Sequence, residues 1–125
     1  MSAEQNKAIV RRFFEAVRDG NHAVIDELVS EDYVRHVPND SEPKRGREQW
    51  KRRPDGVPES QPWPIKQIVA GGDLVIVRRV MRGTLSTQRS GGAPADERVG
   101  VAHISVERVA NGKLVEGLGL HTRTP

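Results

Sequence analysis

Residues 99–122 read VGVAHISVERVANGKLVEGLGLHT. Apolar and polar residues alternate over 99–109 and again over 113–122, which is the period of a β-strand with one buried face. Between these runs, Asn111-Gly112 is a strong short-range signal for a tight hairpin. The stretch therefore predicts two antiparallel strands joined by that turn.

The same period continues towards the N-terminus. Residues 65–70 and 74–84 are rich in β-branched residues and are separated by the turn residues 71–73, which predicts a second hairpin. A brief strand is predicted over 33–36, before a proline. Residues 87–97 contain two glycines and a proline, so we expect a longer, mobile loop between the central strands.

Helical spacing replaces the strand period in the N-terminal part of the chain. Ser2 and Gln5 have the spacing of a capping box, and apolar residues then recur every three to four positions, which predicts a helix over 3–18. A second helix is predicted over 22–29. Prolines restrict any further helix to 46–53, since proline ends a helix at or before the residue that precedes it.

Helices followed by an antiparallel run of strands are typical of an α+β architecture. We expect one domain over 1–125, in which a curved antiparallel or mixed sheet forms a cone and the N-terminal helices close a single pocket. The sheet face opposite the helices needs a cover of its own. A homodimer through that face is therefore expected.

The composition excludes several classes of protein. The 125 residues include no cysteine, which rules out disulfides and thiolate metal sites. The four histidines lack the short spacings of zinc sites, and the chain has no phosphate loop or dinucleotide fingerprint, so we expect neither metal nor cofactor. No segment approaches the roughly 20 apolar residues that span a bilayer, which predicts a cytoplasmic protein without membrane contact.

Six of the ten residues in 44–53 are basic. A solvated face is the first explanation, anion binding is the second, and nucleic-acid binding is the third. Glu48 interrupts the cluster and Trp50 is its only aromatic residue, which argues against nucleic acid as a partner.

Several short stretches resemble, in order and spacing, the SnoaL-like polyketide cyclase family, which has the nuclear-transport-factor-two-like cone fold. The resemblance covers nearly the whole chain. The stretches are NK (6–7), VRRFF (10–14), GN (20–21), DELV (26–29), DYV (32–34) with His36, GRE (46–48), GDLV (72–75), RGT (82–84), RV (108–109) and NGKLVE (111–116).

The resemblance implies cofactor-free acid/base chemistry, in which a carboxylate or histidine removes a proton next to a carbonyl while polar neighbours hold the enolate. Family members commonly carry a pocket-facing aspartate on the last strand, as the acid/base. This chain has Gly119 at that position. The resemblance also assigns His36 to a recurring histidine at the mouth of the cone, where it either takes part in catalysis or substrate binding or is a hydrogen-bonded structural histidine.

Strand alternation on the last strand places Gly117, Gly119 and His121 on one face, which we expect to line the pocket. The two glycines predict either an enlarged pocket or a backbone irregularity without functional meaning. His121 is either the replacement acid/base for the missing aspartate or an exposed terminal histidine.

His103 and Glu107 share a face of the preceding strand. They form a polarised pair if that face lines the cone, and are ordinary sheet residues if the opposite, equally apolar face does. Arg79 shares parity with Met81 on its own strand, so both are candidate pocket residues. Arg79 either stabilises an anion or enolate or pairs with a carboxylate such as Glu107 or Glu116.

Three aromatic residues are expected to line the pocket or simply to pack in the core: Tyr33, Trp50 and Trp63.

Two functions follow from the sequence. The first is a small enzyme that cyclises or isomerises a hydrophobic, carbonyl-bearing polyketide- or terpenoid-like compound, with His36, His103 and His121 as candidate acid/bases. The second is a non-catalytic ligand-binding or dimerisation module that has lost its aspartate.

Overall fold

The computed structural model describes residues 2–38, 41–51, 64–87 and 95–124, with side chains described outside 81–101 and 121–124. Helices come first and strands follow, as the sequence predicts. The elements are α1 (Ala3–Asp19), α2 (His22–Leu28), β1 (Val29–His36), β2 (Lys44–Arg45), a 3₁₀ helix (Arg47–Lys51), β3 (Ile65–Gly71), β4 (Leu74–Thr87), β5 (Ala95–Ala110) and β6 (Lys113–Thr124).

Local signals in the sequence set both ends of α1. The Ser2 hydroxyl accepts a hydrogen bond from the Gln5 backbone N–H at 3.1 Å, and the Gln5 side chain accepts one from the Ser2 N–H at 2.9 Å. This capping box satisfies two backbone donors that a helix start leaves open. Gly20 ends the helix in the left-handed conformation with φ of 69°.

The strands of the described part form one curved, open sheet in the order β2-β1-β6-β5-β4-β3. The pairing is antiparallel except between β1 and β6, which are parallel. At the β5–β6 hairpin, Asn111 and Gly112 both have positive φ, as a tight primed turn requires. The predicted α+β class with a mixed sheet is confirmed.

The helices cover one face of the sheet, which we call the inner face. Val10, Phe13 and Phe14 of α1 are buried in one apolar cluster with Val75 and Val77 of β4. The other face, the outer face, carries large apolar residues that stay exposed. They are Val69, Leu74, Ile76, Leu118 and Leu120.

Some elements differ from their predicted bounds. β1 begins at Val29, because the residue that caps α2 is already extended, with φ of −115° and ψ of 130°. Short β2 carried no sequence pattern, and the predicted third helix is a 3₁₀ helix as far as residue 51. The predicted loop over 87–97 is shortened by β4 and β5 at its two ends, and residues 88–94 lie outside the described part.

Leu114 also departs from simple alternation, which predicts it on the same face as Glu116. It is fully buried and faces the helices, while Glu116 is exposed. The cause is a shift in register between β5 and β6: Val109 pairs with Leu114, whereas Arg108 pairs with Glu116. The extra residue in β6 turns the side chains that precede it to the other face.

The basic segment around the 3₁₀ helix is anchored to α2. Arg47 Nε and Lys51 Nζ lie 3.2 and 2.6 Å from Asp26 Oδ1. These two cations therefore have a structural role, while Lys44 and Arg45 are exposed, and residues 52–53 lie outside the described part. The anchored helix carries Trp50, whose side chain is buried.

The β3–β4 turn offers a matched pair of glycines. Gly72 has φ of +58° and Gly71 has an ordinary φ, and a Cβ at either position meets nothing within 4 Å. We expect Gly72→Ala to lower the free energy of unfolding by about 1–2 kcal/mol, since only its backbone conformation is unfavourable for alanine. Urea denaturation measures this, and Gly71→Ala is the control that should stay near the wild type. Equal losses in the two variants would contradict it.

Candidate functional site

Glu107 lies at the centre of the inner face and is fully buried. The Tyr33 hydroxyl donates to its carboxylate, 2.8 Å from Oε2, and the Ser105 hydroxyl donates to Oε1 at 2.7 Å. Tyr33 comes from β1 and Ser105 from the same strand as Glu107. A buried carboxylate needs such donors, because hydrogen bonds replace part of the hydration that burial removes.

The space for this carboxylate comes from Gly117. It pairs with Glu107 across the β5–β6 ladder. A Cβ built on Gly117 would clash with both the Tyr33 hydroxyl and the Glu107 carboxylate. The space left by the missing side chain is occupied by the Tyr33 hydroxyl and the Glu107 carboxylate. The enlarged pocket expected from the two glycines stays a prediction.

Burial determines the protonation of Glu107. Desolvation raises its pKa to about 7, although the hydrogen bonds from Ser105 and Tyr33 and the charges of Arg35 and Arg79 act in the opposite direction. Desolvation, followed by the charge of Glu107, raises the pKa of Tyr33 above its ordinary range, so Tyr33 remains a hydrogen-bond donor. The site thus contains a carboxyl group that exchanges its proton near neutral pH.

His103 lies on the same face of β5 as Glu107, four residues before it. Two guanidinium groups flank its imidazole ring. Arg79 Nη2 lies 2.8 Å from His103 Nδ1, and Arg35 Nη2 lies 3.1 Å from Nε2. A neutral imidazole accepts through only one of its two nitrogens, so only one of the arginines donates to the ring at a time. Burial, and then repulsion by Arg35, lowers the pKa of Arg79 to about 10.

Aromatic rings support both guanidinium groups. Arg79 Cζ lies 4.3 Å from the Phe14 ring centroid, and Arg35 Cζ lies 4.7 Å from that of Trp50. Arg35 also lies against Gly119, where a built Cβ would clash with Nη2 and approach Cζ and Nε to 3.0 Å. Arg35 thus contacts both an indole ring and a bare backbone.

The structure brings most of the predicted site residues together on the inner face. Tyr33 and Trp50 make ring contact with centroids 5.9 Å apart, and Phe14 links Trp50 to His103. The set comprises Tyr33, Trp50, Arg79, His103, Glu107, Gly117 and Gly119. The sequence left open which face of β5 lines the interior. In the structure it is the face that carries His103 and Glu107. Ser105 lies between them, and Glu107 bonds to Tyr33 and Ser105.

The other four predicted residues are His36, Met81, His121 and Trp63. His36 lies on the outer face with 48% of its side chain exposed, and its Nε2 is 3.1 Å from Glu116 Oε2. Register places His121 opposite His103 and Met81 opposite Val101, but both side chains lie outside the description. Trp63 lies outside the described residues altogether.

Arg35 and the donor role of Ser105 were not predicted from the sequence. Strand alternation contained a signal for Arg35, since it lies two residues after Tyr33 and therefore on the same face of β1. Nothing local showed that it would extend over Gly119. That contact depends on the parallel pairing of β1 with β6, which joins distant parts of the chain.

The model of the SnoaL-like polyketide cyclase family matches residues 8–121. The chain belongs to that family. A comparison of this SnoaL-like chain with curated proteins gave no match.

Solved structures share the fold over nearly the full length. IdmH from Streptomyces antibioticus, assigned as a polyketide cyclase, is 28% identical; the match covers 94% of this SnoaL-like chain and 91% of IdmH, with a TM-score of 0.75. A protein from Kribbella flavida assigned as a ketosteroid isomerase is 15% identical over 98% of this chain and 82% of its own, with a TM-score of 0.74. The second likeness shows the fold alone.

The described residues include neither a metal-binding cluster nor a membrane-spanning helix. Within these ranges, no three His, Asp or Glu side chains are grouped closely enough to hold a metal ion. The helices of the described part are all too short or too polar to cross a membrane.

The two glycines of β6 should respond differently to the same substitution. At Gly117 the added methyl meets a buried tyrosine and a buried carboxylate that hold each other, so we expect Gly117→Ala to lower the free energy of unfolding by about 1–3 kcal/mol. At Gly119 it meets the end of the flexible Arg35 side chain, so the loss should stay below about 1 kcal/mol. Urea denaturation of both variants tests this order, and a reversed order would contradict it.

Proposed function

We propose that this SnoaL-like protein catalyses cofactor-free proton transfer on a small hydrophobic compound that carries a carbonyl group, leading to cyclisation or isomerisation. The observation that supports this most directly is the Glu107 carboxyl group, buried on the inner face with its pKa raised to about 7. General bases work best when their pKa lies near the working pH. Glu107 therefore takes the acid/base role that the family aspartate would have at position 119.

In the first step, the Glu107 carboxylate removes a proton from the carbon next to the substrate carbonyl. The C–H bond breaks, an O–H bond forms on Glu107, and the electron pair moves onto the carbonyl oxygen to give an enolate. The enolate then attacks a second carbonyl to close a ring, and the alkoxide that forms takes the proton from Glu107. In an isomerisation, an enolate conjugated with a C=C bond takes that proton from Glu107 at the far carbon of the conjugated system. Arg79, supported by the Phe14 ring, supplies positive charge for the enolate oxygen.

His103 is the alternative base, and its surroundings favour Glu107. Both of its ring nitrogens lie within hydrogen-bonding distance of a guanidinium group. A proton taken by His103 would add a third positive charge between two guanidinium cations. We therefore assign His103 the role of orienting Arg79 and Arg35.

The proposal is tested with 2-tetralone, a hydrophobic ketone whose α-protons exchange measurably in D₂O by NMR. We expect the protein to accelerate exchange and Glu107→Gln to reduce that acceleration by about 100-fold or more, the usual share of a general base. Because the base is the ionised carboxylate, the wild-type rate should rise with pH and level off above about 7, the pKa of Glu107. The groups facing Glu107 are Tyr33 and Ser105, with the charges of Arg35 and Arg79.

Glu27→Gln is the matched control, since Glu27 is an exposed residue of α2 that pairs with Arg12. It should leave the exchange rate unchanged. Exchange by the wild type at the rate of buffer alone would instead favour the non-catalytic, ligand-binding alternative. Equal exchange by the wild type and Glu107→Gln would exclude Glu107 as the base.

We also propose that the outer face forms a homodimer. Val69, Ile76, Val106 and Leu118 are in direct register across β3, β4, β5 and β6, so they form one continuous apolar row. Val69 is 55% exposed, Ile76 43% and Leu118 37%. A row of this kind on a sheet face is typical of a surface that a second copy covers.

Ile76→Glu should disrupt this dimer, because it would bury a carboxylate at the centre of the row. We expect sedimentation velocity to show a dimer for the wild type and a monomer for Ile76→Glu. Lys66→Glu, an exposed change on the edge strand β3, is the control that should remain dimeric. A wild-type monomer at high micromolar concentration would contradict the proposal.

A further inference from the structure

Ser105 is a small polar residue at the centre of a buried strand face. It lies between His103 and Glu107 on the inner face of β5 and is 1% exposed. Its neighbours across the ladders are Val77 on β4 and Gly119 on β6, neither of which offers it a polar side chain. Serine is seldom buried in this way, because an unpaired hydroxyl loses its hydration. The burial of Ser105 therefore depends on the group to which it bonds.

That group is the Glu107 carboxylate. The Ser105 hydroxyl oxygen lies 2.7 Å from Glu107 Oε1, a short distance that is typical of a hydrogen bond to an ionised oxygen. An ionised carboxylate only accepts hydrogen bonds, so the hydroxyl must donate. Donor and acceptor are two residues apart on one strand face, so the strand itself places them side by side. Ser105 is thereby held where it stabilises the charged form of Glu107.

Tyr33 donates to the same carboxylate but divides its one proton between the two oxygens. Its hydroxyl lies 2.8 Å from Oε2 and 3.1 Å from Oε1 of Glu107. Both distances exceed the Ser105 distance, and a proton that faces two acceptors is less well aligned with each of them. The Tyr33 ring also packs against Trp50, so its place does not depend on the carboxylate alone. Ser105 is thus the stronger of the two donors.

The charged and ionisable side chains that share the inner face with Glu107 come from three strands. They are Tyr33 and Arg35 of β1, Arg79 of β4 and His103 of β5. β6 presents the bare backbone of Gly117 there, and the buried residues of α1 and α2 carry no charge. Burial raises the pKa of Glu107 to about 7, and the Ser105 hydrogen bond is the largest of the effects that lower it. Without that bond, the carboxyl group would keep its proton through the neutral range.

We propose that Ser105 is a positioning residue, the principal donor that keeps Glu107 ionised and therefore able to act as a base at neutral pH. This inference rests on the proposed function, because it concerns the base of the same site. Ser105 acts only through Glu107. The two hydroxyl groups donate two protons to the roughly four acceptor positions of the carboxylate, so positions remain for the proton taken from the substrate.

Ser105→Ala tests the proposal, since it removes the hydroxyl and little else. We expect the pH midpoint of 2-tetralone exchange to rise by about one to two units, the value of one hydrogen bond to a charged group. The midpoint rises because the lost donor stabilised the ionised form. At pH 7 exchange should therefore slow about 5- to 50-fold, the factor by which that rise lowers the ionised fraction, and it should recover above the new midpoint. A loss that higher pH does not restore would indicate structural damage and would overturn the proposal.

Tyr33→Phe should raise the midpoint by less than Ser105→Ala, and an equal or larger rise would overturn Ser105 as the principal donor. Ser30→Ala is the matched control: Ser30 Oγ accepts a hydrogen bond from the Asp32 N–H on β1, so the midpoint should stay at the wild-type value. If Ser105→Ala does not fold, Ser105→Cys keeps a similar shape with a weaker donor and should also raise the midpoint. An unmoved midpoint in that variant would overturn the proposal equally.

Titration of the Glu107 carboxyl carbon by NMR in ¹³C-labelled protein separates this inference from the proposed function. It reports the ionisation of Glu107 whether or not the protein acts on a substrate. A higher titration midpoint in Ser105→Ala, in a protein that never accelerates exchange, would refute the catalytic role alone. Accelerated exchange, with the same Glu107 midpoint in the wild type and in Ser105→Ala, would refute the role of Ser105 alone.

Discussion

The inner face is organised around one interaction, the burial of the Glu107 carboxyl group over Gly117. Tyr33 and Ser105 donate to this group, and the bare backbone of Gly117 leaves the space that it occupies. Tyr33 is fully buried as a result, which fixes β1 against β6 and brings Arg35 onto the same face. The arginines, the histidine and the aromatic rings are then arranged around a carboxyl group that burial makes a stronger base than an ordinary glutamate.

Much of the fold was predictable because its signals are local. Alternation along β5 and β6, the Asn111-Gly112 turn and the capping box at Ser2 each depend on residues a few positions apart. Which face of β5 lines the interior was not predictable, because both faces are equally apolar in sequence. In the structure, the face of β5 that carries His103 and Glu107 is the one that packs against α1.

The residues of the site could be predicted from the sequence better than the contacts between them. Tyr33, Trp50, Arg79 and Glu107 were identified from strand parity and from the scarcity of aromatic residues. The pairing of Tyr33 with Glu107 joins residues 74 positions apart, and no local pattern encodes such a contact. The bulge that buries Leu114 was likewise invisible, because it arises from the register between two strands rather than from either strand alone.

Because Arg35 lies against Gly119, substitutions at positions 35 and 119 depend on one another. The end of the Arg35 side chain occupies the volume next to position 119. Alanine there would displace only that flexible end, whereas a longer side chain such as aspartate would require the residue at 35 to be shortened or redirected. The two positions are therefore epistatic, and homologues should carry either a small residue at 119 with a long cation at 35, or an acid at 119 with a shorter residue at 35.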